Sequence, residues 1–176
     1  REMADAPPPD AFPSRGAEVV VTTEPQLTCG GLVYVSGEIP RLTTYETGLP
    51  GQHRRTADGS GWEPDELLMD ERFVAFAVAG KGLVVLSACS HAGVINVLTE
   101  ARAQYPGVPL HAVMGGLHLS GTNERIIPET VGDLAKFGLT TIAAGHCTGW
   151  RAQAALLQRF GDEVLAPLAV GKRFCF

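Results

Sequence analysis

The apolar positions of this chain form short β-like runs in its first half and alternate between strand and helix spacing in its second. Residues 73–78 (FVAFAV) and 83–86 (LVVL) are rich in β-favouring side chains and are separated by a turn over 79–81, which predicts a hairpin. After residue 86 the chain turns through Ser87, Ala88, Cys89, Ser90 and His91. Val94, Val97, Leu98 and Ala101 then recur at helical spacing, predicting a helix over 94–105 that ends before Pro106. The same succession returns twice. A strand over 110–114 runs into GGLHL and a helix over 128–137, with Val131, Leu134 and Ala135 as its stripe. A strand over 140–143 runs into AGHCTGW and a helix over 151–160, stopped by Gly161. Earlier, strands are expected over 19–22 and 32–36 with a turn at Pro25, and a strand pair over 165–170 and 172–176 closes the chain.

Strand, small-residue turn and helix in threefold succession is the logic of an α/β domain. The helix-free first half adds antiparallel strands, so the expectation is a layered α/β sandwich. Residues 1–16, with four prolines, read as a loop or linker, and 17–176 as one domain. Residues 42–64 are polar and lack periodicity, and read as a long surface loop.

Composition narrows the function classes. At 176 residues and 45% apolar, the chain can build one core. A net charge of −5 disfavours nucleic-acid binding, because phosphate contacts need clustered cations. No apolar run approaches the ~20 residues that span a bilayer. The N-terminal stretch has no signal-peptide pattern, and four cysteines without a C-x-x-C pair fit free thiols in a reducing, cytoplasmic setting.

Three strand ends carry a histidine among small residues: His91 in CSHAG, His118 in GGLHL and His146 in GHCTG. Imidazole is a common metal ligand, and flanking glycines let backbone and ion approach closely, so the pattern points to a metal site. Read singly, His118 is as well explained by a structural hydrogen bond. His111 and His53 fit structural or solvent-facing roles. Cys89 is a candidate ligand or, less favoured, a nucleophile paired with histidine. Ser90 and Thr148 suit caps of the helices that follow, and the helix after His91 offers free N–H groups to an anionic substrate. Asp70 and Glu71 read as solvated carboxylates. Arg41, in GEIPR, suits an anion clamp or a surface salt bridge.

The segments GLVVLSACSHAGVIN, AVMGGLHL and IAAGHCTGWRA, in that order and after GEIPR, resemble the C-terminal part of the metallo-β-lactamase superfamily. The similar branch carries GCSHAG, GGFHL and PGHCTG and includes dihydropterin–ribofuranosylaminobenzene-phosphate synthase-like metallo-hydrolases. The resemblance implies an αββα sandwich, here mainly its C-terminal half. It also implies a divalent metal (zinc, with manganese or iron as alternatives) and a small substrate, pterin-like or phosphorylated. His146 matches the last metal ligand of the family. The Ala88–His91 turn stands where a bridging Asp is usual, with His91 as the candidate ligand. His118 matches the histidine of GGFHL and is a ligand, a substrate contact or the catalytic proton donor. The chief signature of the superfamily, H-x-H-x-D-H, is absent from these 176 residues. The resemblance therefore implies that the other half of the site comes from an N-terminal half of the same fold or from a homo-oligomer partner. The enzyme expected is a metal-dependent hydrolase, or a pterin-synthase-like transferase, when that half is present. The alternative is a degenerate binding module that keeps the fold without a complete dinuclear site.

Overall fold

The computed structural model of the protein describes residues 8–13 and 16–176. Nine strands and three α-helices organise them. The strands are β1 (Gln26–Thr28), β2 (Val33–Val35), β3 (His53–Arg55), β4 (Trp62–Pro64), β5 (Phe73–Val78), β6 (Gly82–Ser87), β7 (Leu110–Gly116), β8 (Thr141–Gly145) and β9 (Leu165–Pro167). The helices are α1 (Val94–Gln104), α2 (Ile127–Leu134) and α3 (Trp150–Phe160). Seven strands form one sheet in the order β1-β2-β5-β6-β7-β8-β9, and β3 and β4 make a separate hairpin. Pairing is antiparallel from β1 to β6 and parallel from β6 to β9. The helix-free half thus supplies the antiparallel strands, and the alternating half supplies the parallel ones.

Each parallel crossover carries one helix, and α1, α2 and α3 pack side by side. Parallel pairing needs such a crossover, and its fixed hand keeps all three helices on one face. Leu83, Val85, Val113 and Ile142 meet Val97, Leu98, Leu134 and Leu156 there as the core. Strand alternation sends Val74, Phe76, Leu86 and Met114 to the opposite face. Leu86 is exposed there and the other three are half-buried, so the sheet's second face is apolar and incompletely covered.

Several expectations change. No strand forms over 19–22: Val20 and Val21 are exposed, because β-branched residues make a strand only beside a partner. The turn expected at Pro25 runs directly into β1, which pairs with β2. The loop over 42–64 contains the β3–β4 hairpin. At the C-terminus β9 lies parallel to β8 and ends at Pro167, with one further bond from Leu168 N–H to Ala144 O at 3.3 Å, and 172–176 form no strand. The linker expected over 1–16 falls largely outside the described residues; within it, Pro9–Ala11 form a 3-10 turn. Among the described residues no helix is long and apolar enough to cross a membrane.

Candidate metal centre

Parallel register brings the ends of β6, β7 and β8 to one edge: Ser87 is opposite Gly115, and Gly116 opposite Gly145. The three following turns each hold a non-glycine residue in the left-handed region: Ser90 (φ 59), His118 (φ 46) and His146 (φ 52). Such residues cost about 1–3 kcal/mol each and gather at functional sites. Hydroxyls lace the turns together. Ser90 Oγ donates to Gly116 O at 2.7 Å and contacts Ser87 Oγ at 2.8 Å. Thr148 Oγ1 donates to Gly145 O at 2.7 Å and accepts from Leu117 N–H at 3.1 Å. Ser90 and Thr148 therefore join strand ends instead of capping helices.

The start of α1 is capped from far away in sequence. Glu46, 4% exposed, accepts from Ile95 N–H at 2.9 Å and Asn96 N–H at 3.0 Å. Asn96 returns the contact, its Oδ1 accepting from Leu42 and Thr43 N–H at 2.9 and 3.0 Å. The N–H groups expected to await an anionic substrate are thus taken by a protein carboxylate. Burial raises the pKa of Glu46 against the lowering effect of these N–H groups.

Glu71 is the largest departure from expectation. Its side chain is 9% exposed and accepts from His91 N–H at 2.8 Å and Ala92 N–H at 2.6 Å. His91 Nδ1 lies 3.0 Å from the same carboxylate. A carboxylate only accepts, so in neutral His91 the ring proton sits on Nδ1 and the lone pair on Nε2. Burial pushes the Glu71 pKa up, but the bonds from the His91 ring and the two N–H groups outweigh it, and the net shift is downward.

The structure brings His91 and His118 together, ring centroids 4.5 Å apart and nearly edge-on. His118 O accepts from Asn123 Nδ2 at 3.0 Å, while its buried Nδ1 has no partner. Burial, then His91, lowers the His118 pKa; His146 adds to this and Glu71 opposes it. His146 lies across the site, its Nε2 3.0 Å from Cys89 Sγ, and Cys147 Sγ donates to Cys89 O at 3.3 Å. The ligand atoms of Cys89, His146 and Cys147 lie within 4.8 Å of one another. Burial, then Cys147, holds the Cys89 pKa well above its ordinary value, which leaves a thiol at neutral pH and speaks against a Cys89 nucleophile. An orphaned buried imidazole nitrogen, a carboxylate-held histidine and clustered N and S donors fit a divalent transition metal. The cleft between Glu46, Ser90, His91, His118 and Asn123 encloses only about 10 Å³, room for one water.

His118 makes stability pH-dependent. Its folded pKa lies below the ordinary 6.5, so on acidification the unfolded chain takes up the proton first. The stabilisation is complete above 6.5 and is lost as pH falls through the folded value. The urea midpoint of metal-free protein should drop below about pH 6.5, and His118→Gln should flatten that part of the profile. An unchanged acid slope in the variant would remove His118 as its source.

His111 and His53 lie apart from this cluster, as expected. His111 Nδ1 contacts Thr140 Oγ1 at 2.7 Å, and exposed His53 contacts Gly51 O at 3.0 Å. Among the described residues Arg41 forms no salt bridge. Its guanidinium donates to the carbonyls of Ile39, Leu67 and Leu68, clasping two loops. Sequence reasoning missed Glu46, Glu71 and Asn96. The one available signal was acidic residues upstream of a helix whose own start, Gly93, has no capping side chain.

No family model matches this chain. It is 36% identical over 88 residues to the 7,8-dihydropterin-6-methyl-4-(beta-D-ribofuranosyl)-aminobenzene-5'-phosphate synthase of Methanocaldococcus jannaschii. That match spans 49% of this chain and 29% of the synthase. A solved structure, Tm1679, a metal-dependent hydrolase of the β-lactamase superfamily, superposes with a TM-score of 0.74 at 23% identity. It covers 86% of this chain, and this chain covers 56% of it. The parallel strands with their crossover helices, the antiparallel strands beside them and this superposition give the chain the metallo-β-lactamase fold.

Proposed function

We propose that the chain supplies, from a domain over 17–176, the C-terminal part of a metal-dependent active site acting on a small pterin-like or phosphorylated substrate. The observation that carries this reading is the convergence of His91, His118 and His146 at one sheet edge, with Glu71 fixing the His91 ring. A bound divalent metal, zinc or alternatively manganese or iron, supplies a water of lowered pKa and a charge that polarises the substrate. His91 and His146 ligate it. His118, kept neutral by burial and its neighbours, either ligates or hands a proton to the leaving group. The same residues serve a synthase-like transferase if the substrate is a pterin. The four cysteines are free, in keeping with a reducing, cytoplasmic setting.

The apolar row Val74, Phe76, Leu86 and Met114, together with the 56% coverage of the solved relative, supports a second layer over the open sheet face. Its source is an N-terminal half of the same fold or a second copy of this chain. The competing reading is a degenerate binding module, favoured by the absence of H-x-H-x-D-H from these residues. Metal content by mass spectrometry tests the assignment. His146→Ala should lose bound metal while His111→Ala keeps it. Equal stoichiometry in both would remove His146 from the site.

A further inference from the structure

Two cysteines in the strand-end cluster have no part in the histidine chemistry. Cys89 lies within the turn after β6, and Cys147 follows His146 after β8, 58 residues on in sequence. The fold nevertheless brings both sulfurs and the imidazole to one point. Room for the second sulfur is built into the sheet. A Cβ on Gly116 would stand 2.6 Å from Cys147 Sγ and 2.7 Å from Ala88 O, so only glycine admits the thiol there. Cys147 O in turn accepts from Ser120 N–H at 3.2 Å, tying this turn to the one that carries His118.

We propose that Cys89, Cys147 and His146 form a thiolate-rich site for a zinc-class dication, so that the metal held by this chain is bound through sulfur as well as nitrogen. The inference rests on the reading of His146 as a ligand and adds two ligands to it. Two sulfurs and one imidazole nitrogen select soft or borderline ions over magnesium or calcium. With Zn–S bonds near 2.3 Å, tetrahedral sulfurs stand roughly 3.8 Å apart, within the spread these donors already have. Binding releases one proton from each thiol, and the two thiolates balance the dication while the imidazole stays neutral. Nothing is oxidised or reduced.

Cobalt(II) titration of the purified protein reads the ligand set directly. The expected result is a sulfur-to-cobalt charge-transfer band in the near ultraviolet, lost in the Cys89→Ser, Cys147→Ser double variant and retained in the Cys29→Ser, Cys175→Ser double variant. Cobalt binding without that band, yet abolished by His146→Ala, would overturn the thiolate proposal and leave the functional reading standing. Band and binding both unchanged in His146→Ala would sink both. An independent measurement needs no variant. Zinc should protect Cys89 and Cys147 from alkylation, mapped by peptide mass, while the exposed Cys29 and Cys175 stay reactive. Equal labelling of all four with and without zinc would refute the site.

Discussion

Gly115→Ala is expected to lower the unfolding free energy by about 3–5 kcal/mol, a large share of the stability of a small domain. Gly115 lies in β7 opposite Ser87 of β6 and adopts φ 135, a conformation L side chains rarely take. A Cβ there would stand 1.7 Å from Ser87 O and 2.8 Å from Ser87 C, both backbone atoms. No rotamer change relieves such a contact, so β6 and β7 must separate at the edge that presents His91 and His118. Gly132→Ala is the control. Gly132 lies in α2 with nothing within 4 Å of an added Cβ, and alanine should stabilise that helix by up to about 1 kcal/mol. Chemical denaturation of both variants decides the matter. Equal, small effects of the same sign would show that the strand-end approach is not tight in solution.

Glu71→Ala should weaken metal binding about 10–100-fold, as removal of a carboxylate behind a ligating histidine generally does. It should also destabilise the metal-free protein by about 2–4 kcal/mol, because two backbone N–H groups and an imidazole N–H lose a charged acceptor. Glu71→Gln should fall between, since an amide oxygen still accepts but carries no charge. The sign of the pH effect follows from the depressed pKa. The stabilisation from Glu71 is complete above its ordinary value of 4.5 and is lost as pH falls through the lower folded value. Isothermal titration with zinc and urea unfolding separate the two effects. Unaltered zinc affinity in Glu71→Ala would remove His91 from the ligand set.

Both predictions concern residues whose importance the local pattern conceals. Glu71 follows Asp70 in a polar stretch and looks like a solvated carboxylate, yet it reaches residues twenty positions on. Glu46 lies in a stretch without periodicity, yet it caps a helix that begins 48 residues later. No hydrophobic period marks such a contact, because it depends on where the tertiary fold brings the loop. The histidines were legible for the opposite reason: each closes an apolar run with a small-residue turn, and the parallel register aligns the three turns.

The chain's own pattern determined β5, β6, β7 and β8 and the helices between them, since burial on a sheet or a helix face writes itself as a local period. It also determined that His91, His118 and His146 end successive strands. Tertiary structure alone decided the pairing of β1, the β3–β4 hairpin and the brevity of β9, because a three-residue strand carries too few positions to show alternation. It alone decided that Glu71 holds His91 and that Cys89 meets Cys147 and His146. These contacts join residues many positions apart, and their energy exists only once the sheet has brought its strand ends to one edge.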